Sequence, residues 1–233
     1  MILYVNGDSH SAGAQAFNNY CFAKDDLNTK HLGLSPHPDN LKVSYGNLIA
    51  QHLNADFHCE AESASSNDRI LRTTHEYLCK YTPNLVIIGW ATWEREEFLI
   101  NGTYYQFSAG RVTLDWPKEI EQQYKLWVMN ADSATRAQRW HAIIWNFHQE
   151  LLSKKINHLF FNTLHAFNHS FITKLDWGVN YFNPYSHNDT YYYWLVNNGY
   201  ESISPNNYHF RADAHRAWAN HLTKIIKESI MVK

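Results

Sequence analysis

The sequence has few cysteines, almost no net charge and no long apolar run, and each shortage argues against a class of protein. Its three cysteines, Cys21, Cys59 and Cys79, cannot all pair and form no CxxC motif, which predicts reduced, buried thiols in a reducing compartment. No apolar stretch approaches the ~20 residues that span a bilayer. The formal net charge of -2 provides no electrostatic reason to expect nucleic acid or an anionic membrane as the main partner.

The amino terminus also shows no leader pattern. An apolar run begins at Ile2, directly after Met1, which leaves no room for a signal peptide and predicts a cytoplasmic protein; a phage or virion component would have the same features. There is no internal repeat and no low-complexity linker. With 233 residues, 45% of them apolar and 18% charged, the composition indicates one folded α/β domain with a sizeable core.

Short apolar runs alternate with segments of helical spacing along the chain. The runs predict strands at Ile2–Val5, Asp56–Cys59, Leu85–Ile88, His158–Phe161 and, at the sheet edge, Tyr200–Ile203. The other segments predict helices at Ser11–Phe22, Tyr45–Leu53, Asn67–Tyr81, Thr135–Lys154, Tyr191–Asn197 and Arg211–Val232. A loop is predicted at Asp25–Asn40, and aromatic-rich insertions around 90–135 and 167–190. This alternation predicts a three-layer α/β/α sandwich around a mainly parallel sheet of about five strands.

Two short motifs at opposite ends of the chain could provide chemistry. Gly7-Asp8-Ser9-His10-Ser11 follows the first strand, and His209 precedes the last helix. Ligands of parallel sheets bind beyond the carboxyl ends of the strands, where Ser9, Ala64 and Thr92 would emerge. Each motif has a structural alternative, because glycine, aspartate and serine are common turn formers. A half-buried, hydrogen-bonded histidine is likewise ordinary in a chain with 15 of them.

Together these motifs resemble the blocks of the SGNH hydrolases, also called GDSL-like esterases, over residues 1–233. Ala61–Ile70 lies where the second block falls, and Gly89-Trp90-Ala91-Thr92 lies where the third has G-x-N-D. Asn206-Asn207-Tyr208-His209 stands where the last block has D-x-x-H. The resemblance implies a single flavodoxin-like domain that hydrolyses an acyl or carbohydrate ester without a metal or cofactor. The substrate would be a small molecule or a glycan.

The resemblance also assigns roles to individual residues. Ser9 would be the nucleophile, His209 its base and Asn206 the residue that orients the base. The N–H groups of Ser9 and Ala64, with Thr92, would bind the oxyanion.

Three residues depart from the family pattern, and two of the departures predict low activity. Ala64 replaces a glycine, which is tolerable if the backbone need not take a positive φ. Ala91 replaces an asparagine donor, a loss that typically costs about 10²–10³ in rate. Asn206 replaces the acid, and an Asp→Asn change in the serine protease triad costs about 10⁴ in turnover.

Two further residues of the third block could contact substrate. Arg95 has a planar fork suited to a carboxylate or phosphate, although an ion pair with a neighbouring glutamate is the stronger expectation. Trp90 could contact an apolar or sugar-like group.

Two other functions compete with the esterase. Asp8-x-His10 is similar to the D-x-H start of calcineurin-like metallophosphoesterases, whose ligands would bind two metals. The later motifs of that family, GDxxDR and GNHE, are missing, and Ser65–Arg69 lacks the GD pair. The second alternative is an SGNH scaffold without activity, in which aromatic segments such as Trp90–Phe107 and Trp177–Trp194 bind a glycan or peptide.

Overall fold

A four-stranded parallel sheet forms the centre of the protein in a computed structural model that describes residues 1–23, 34–109, 116–205 and 207–230. Its strands are β1 (Ile2–Gly7), β2 (Asp56–Cys59), β3 (Leu85–Trp90) and β6 (Asn157–Asn162). They lie in the order β2-β1-β3-β6, and every pairing is parallel. This order is that of a flavodoxin-like sheet, which confirms the predicted α/β class.

Helices and an antiparallel hairpin complete the structure. The hairpin pairs β4 (Arg95–Ile100) with β5 (Thr103–Ser108). The α-helices are α1 (Pro38–Lys42), α2 (Tyr45–Leu53), α3 (Asn67–Leu78), α4 (Lys118–Met129), α5 (Ser133–Ser153), α6 (Tyr191–Asn197) and α7 (Ala212–Ile225). A 3-10 turn occupies His187–Asp189, and α7 continues as a π-helix over Ile226–Ile230.

The two faces of the sheet are buried under different helices, because successive strand side chains point to opposite sides. On β1, Tyr4 joins one core cluster, in which α3 and α5 cover the sheet. Its neighbours Leu3 and Val5 join a second cluster, in which α2, α6 and α7 cover the other face. Each fully buried aliphatic side chain contributes about 1.5–3 kcal/mol. The result is the predicted three-layer sandwich.

The segment from 90 to 135 holds the hairpin and α4, which share a small core of Phe107, Ile120 and Tyr124. Acidic side chains in and beside β4 connect this unit to α3 and α5 through ion pairs. Glu97 accepts two hydrogen bonds from Arg72 of α3, at 2.7 and 2.9 Å. Two further ion pairs join Glu94 to Arg136 and Glu96 to Arg139.

Two predicted elements are wrong. Tyr200–Ile203 is not a strand, so the parallel sheet has four strands rather than about five. Ser11–Phe22 forms turns rather than a helix, because the backbone is left-handed at Gly13 (φ +68°) and Gln15 (φ +61°), a conformation that interrupts a right-handed helix.

The predicted loop at Asp25–Asn40 lies mostly outside the described residues, and its end begins α1 at Pro38. The prediction of buried thiols is wrong, since Cys79 is exposed and Cys21 and Cys59 are half-buried; all three cysteines are free. Among the described helices, none has both the length and the apolarity needed to cross a membrane.

Candidate active site

A cleft of about 280 Å³ opens at the carboxyl ends of the central strands. It receives side chains from the turn after β1, from the segment after β3, from the segment after β6 and from the residues ahead of α7. The lining residues are Asp8, Ser9, His10, Thr92, Arg95, Thr163, Leu164, Asn207, Tyr208 and His209. The cleft therefore brings together four residues that the sequence indicated, namely Ser9, Thr92, Arg95 and His209.

The end of β1 places Ser9 in a sharp turn. Gly7 has a φ of +155°, and a Cβ there would lie 2.0 Å from Ser11 Oγ and 2.8 Å from the Gly89 carbonyl oxygen, so only glycine fits. The turn is closed by the Ala14 N–H, which donates to the Ser9 carbonyl at 2.9 Å. Ser9 is 7% exposed, and within the described ranges neither its hydroxyl nor its N–H has a hydrogen-bond partner. Both groups remain available to a ligand.

Buried polar contacts support this turn from the side of α2. The Tyr45 hydroxyl donates to Ser11 Oγ at 2.6 Å, and the Tyr45 N–H donates to Nδ1 of His215 at 3.3 Å. Burial lowers the pKa of His215 to about 3. His215 is thus a neutral acceptor that links α7 to α2 behind the cleft.

The imidazole of His209 is held by one of its two nitrogens. Its Nδ1 lies 2.7 Å from Oε1 of Gln15, and no residue in the described part of the chain hydrogen-bonds Nε2. Burial lowers the pKa of His209 to about 4; charges on His10 and Arg95 act in the same direction, and Asp8 opposes them. The ring is therefore neutral near pH 7, with one nitrogen free to accept a proton.

Asp8 and Arg95 form an ion pair in the wall of the cleft. Oδ2 of Asp8 lies 3.4 Å from Nη1 of Arg95, and Oδ1 accepts the His10 N–H at 3.1 Å. Asp8 is 3% exposed, and burial raises the pKa of its carboxyl, with Arg95 opposing the shift. The partner of Arg95 is thus Asp8 rather than a neighbouring glutamate, because the glutamates around it pair with Arg136, Arg139 and Arg72.

Thr92 is presented to the cleft by a segment that α3 holds in place. The Asn67 side chain accepts the Ala91 N–H at 2.8 Å and donates to the Ala91 carbonyl at 3.1 Å. Thr92 Oγ1 accepts the Glu94 N–H at 3.1 Å, which leaves the hydroxyl proton of Thr92 free to donate. Asn67, at the start of α3, is therefore the positioning contact of this segment.

Residues 28–174, more than half of the chain, match the family described as "Family of unknown function (DUF6071)". The chain belongs to this family. A comparison with curated proteins gives no significant match to this DUF6071 member.

Several solved structures are similar to the DUF6071 chain in fold. One, from Desulfitobacterium hafniense, is described as a lipolytic protein of the G-D-S-L family; it is 12% identical, with 97% of this chain and 99% of that chain covered and a TM-score of 0.45. A family 2 carbohydrate esterase from Corynascus thermopiles is 15% identical, with 97% and 65% covered and a TM-score of 0.44. A family two carbohydrate esterase from Clostridium thermocellum is 14% identical, with 97% and 62% covered and a TM-score of 0.44.

The identities of 12–15% and the TM-scores below 0.5 limit this likeness to the fold.

Three of the residues indicated by the sequence do not line the cleft or cannot be placed. Trp90 is 1% exposed, and its ring packs edge-on against Phe147 and Phe160 in the core, so the expected substrate contact of Trp90 is wrong. Ala64 is exposed and has a φ of +68°. The backbone does require a positive φ there, at a cost of about 1–2 kcal/mol for a non-glycine residue. Asn206 lies outside the described residues.

The aromatic segments are mostly core rather than binding surface. Trp93, Phe107 and Trp177 are all buried, because the hairpin and the segment after β6 pack inward. Of the aromatic side chains described, Tyr208 is the one that lines the cleft, and it is 52% exposed. As for metal ligands, no three His, Cys, Asp or Glu side chains in the described ranges are arranged to hold an ion.

Sequence reasoning missed Gln15 altogether. It lies in a segment predicted to be helical, and no motif marks it. Its contact with His209 spans 194 positions of the chain.

Proposed function

We propose that this DUF6071 protein is a serine-dependent ester hydrolase in which Ser9 is the nucleophile and His209 is the general base. One observation carries the proposal: a single cleft contains a serine hydroxyl and the Nε2 of a neutral imidazole, neither of which has a hydrogen-bond partner among the described residues. A hydroxyl needs an adjacent base to become a nucleophile, and the base in turn needs an orienting contact. His209 lines the same cleft as Ser9 and would serve as the base, and Gln15 makes the orienting contact to its Nδ1.

The reaction follows the logic of a serine hydrolase. Ser9 Oγ attacks the ester carbonyl carbon while Nε2 of His209 accepts the hydroxyl proton. The tetrahedral adduct then collapses with cleavage of the carbon–oxygen bond, and the His209 imidazolium returns the proton to the departing alcohol oxygen. Water next attacks the acyl-serine and gives a proton to His209. Release of the carboxylic acid returns that proton to Ser9.

The negative oxygen of each adduct needs preorganised donors. The Ser9 N–H and the Thr92 hydroxyl are unpaired donors of cleft-lining residues. The Ala64 N–H stays a predicted third donor: no backbone acceptor takes it among the described residues, although Ala64 itself is not part of the cleft lining. The SGNH pattern has an asparagine donor where this chain has Ala91, so the Thr92 hydroxyl would have to take its part, which favours modest rates.

The size and charge of the cleft favour a small, uncharged ester. Its volume of about 280 Å³ is at the low end for ligand pockets, which suits a short acyl group with the alcohol half outside. Asp8 neutralises Arg95 within the cleft wall, so Arg95 has less reason to bind an anionic substrate. The alcohol half is that of a small molecule or a sugar, and the exposed ring of Tyr208 at the cleft offers it an apolar contact.

Hydrolysis of a short-chain aryl ester tests the proposal. Ser9→Ala is expected to lower kcat/KM by about 10³-fold or more without a change in the unfolding midpoint. A fluorophosphonate should add to the Ser9 peptide, as measured by mass spectrometry, and its addition should slow in His209→Asn.

The matched control is Ser153→Ala, at the exposed end of α5, which should behave as wild type. Hydrolysis that survives in Ser9→Ala, or a label on another serine, would refute the assignment. Activity that EDTA abolishes would favour the metallophosphoesterase alternative.

A further inference from the structure

Gln15 makes the side-chain contact that a carboxylate makes in a serine triad. Its Oε1 lies 2.7 Å from Nδ1 of His209. We infer that Gln15 is the positioning residue of His209 and that a neutral amide takes the place of the acid; the inference rests on the proposed function. The resemblance of the sequence had assigned this role to Asn206.

The surrounding hydrogen bonds determine which end of the Gln15 amide faces the ring. Oδ1 of Asn207 accepts a hydrogen bond from the backbone N–H of His209 at 2.9 Å, which turns the side-chain amino group of Asn207 toward Gln15. That amino group donates to Oε1 of Gln15 at 2.7 Å, while Nε2 of Gln15 donates to the Asn19 carbonyl at 3.3 Å. An amide oxygen can only accept. Nδ1 of His209 must therefore carry a hydrogen, and Nε2 has the lone pair that a base requires.

The backbone of Gln15 is fixed as firmly as its side chain. Its φ of +61° is unusual for a residue with a long side chain. The Gln15 N–H donates to the Tyr20 carbonyl at 3.1 Å, and its own carbonyl accepts from Nη1 of Arg211 at 2.8 Å. Strained conformations of this kind persist where the surroundings over-determine them, often at functional sites. This segment lies beside the start of α7, so the packing of α7 against it holds Gln15 next to His209.

An amide orients the ring but provides no counter-charge when the ring becomes protonated. The other titratable groups that face His209 are His10 and Asp8, from the turn after β1, and Arg95 from β4; burial lowers the pKa of His10 to about 3, so His10 is neutral near pH 7. Of these only Asp8 favours the imidazolium, and it is already paired with Arg95. A carboxylate at position 15 would add a direct attraction and raise the pKa of His209, by about 1–3 units for a close opposite charge.

The first experiment reads the tautomer of His209 by ¹⁵N NMR of the histidine-labelled protein. Wild type at neutral pH is expected to show His209 with its hydrogen on Nδ1. Gln15→Gly keeps the left-handed backbone, because glycine adopts that φ freely, but removes the amide; it should give a mixture of tautomers. Gln15→Glu should keep the hydrogen on Nδ1. The matched control is Asn101→Gly, an exposed amide at φ +52° in the hairpin turn, which should leave the His209 signals unchanged.

The second experiment measures ester hydrolysis against pH. Gln15→Gly should lower kcat by about 10-fold or more while KM changes little, because Gln15 is not among the residues that line the cleft. Gln15→Glu should keep kcat near the wild-type value, unlike Gln15→Gly. It should also move the acid limb of the pH profile to higher pH by at least about one unit, because the pKa of His209 is raised.

An unaltered His209 tautomer in Gln15→Gly would overturn the inference. So would a gain in activity from Asn206→Asp combined with no effect of Gln15→Glu. The proposed function fails in a different way, through hydrolysis that survives Ser9→Ala, whereas the NMR result depends only on the contact between Gln15 and His209.

Discussion

His215 offers the sharpest test of the electrostatics behind the cleft. Its Nδ1 accepts the Tyr45 N–H at 3.3 Å, and burial lowers its pKa from 6.5 to about 3. Between these two values the unfolded chain binds a proton that the folded protein does not. Burial of the neutral His215 ring therefore costs no stability above pH 6.5. The free energy of unfolding decreases as the pH falls from 6.5 toward 3.

The size of this effect follows from the shift. Each pH unit below 6.5 lowers the free energy of unfolding by up to about 1.4 kcal/mol. At pH 4.5 the loss that His215 causes is therefore up to about 2.7 kcal/mol. His215→Gln keeps an acceptor for the Tyr45 N–H and cannot titrate. We expect the variant to be about 1–3 kcal/mol less stable than wild type at pH 7.5. Between pH 7.5 and pH 4.5 the difference in stability should change by about 2–3 kcal/mol in favour of the variant.

Urea unfolding followed by tryptophan fluorescence measures both values, since the chain has 9 tryptophans. Leu222→Ala on the same helix is the control: it removes buried apolar volume, and its cost of about 2–5 kcal/mol should be the same at both pH values. If His215→Gln and wild type lose stability in parallel between pH 7.5 and 4.5, His215 is not a buried neutral acceptor.

Two further predictions concern the cleft directly. Thr92→Val removes the hydroxyl but keeps the shape, and it should lower kcat for an aryl ester by about 10²-fold with little change in KM; an unchanged kcat would remove Thr92 from the oxyanion donors. Gly7→Ala would place a Cβ 2.0 Å from Ser11 Oγ and should cost about 2–4 kcal/mol of stability together with most of the activity. Gly102→Ala, at φ +79° with no atom within 4 Å of the added Cβ, should cost only about 1–2 kcal/mol; equal losses in the two variants would contradict the steric argument. Both effects are measured by thermal unfolding and initial rates.

Local patterns in the sequence were enough to predict most of the sheet and the helices around it. The apolar runs at Leu85–Ile88 and His158–Phe161 became β3 and β6 of the parallel sheet, and both strands are buried on their two faces, as strands covered by helices on both sides are. Helical spacing likewise predicted α2 and α5 within two residues at each end. The order of strands and helices then predicted the edge of the sheet at which Ser9 emerges.

Other features depended on contacts that the local pattern does not contain. Composition could not separate core aromatics from ligand-binding ones: Trp90 and Trp177 are both buried because their segments pack inward. The turn after β1 looked helical because its left-handed residues are Gln15 and Gly13, and a glutamine gives no local sign of a positive φ. The charges of Glu94–Glu97 were visible, but their arginine partners on α3 and α5 were not.

Sequence alone therefore determined the architecture and named the serine and histidine of the cleft, because strand and helix periods and turn chemistry are local properties of the chain. Only the tertiary structure decided how His209 is held. The Oε1 of Gln15 and the Nδ1 of His209 are 194 positions apart, and their contact exists because α7 packs beside the turn after β1, where Arg211 and Ala212 bond to its backbone. A hydrogen bond of that kind depends on side-chain placement to within a fraction of an ångström, which is a property of the packed molecule and not of any segment within it.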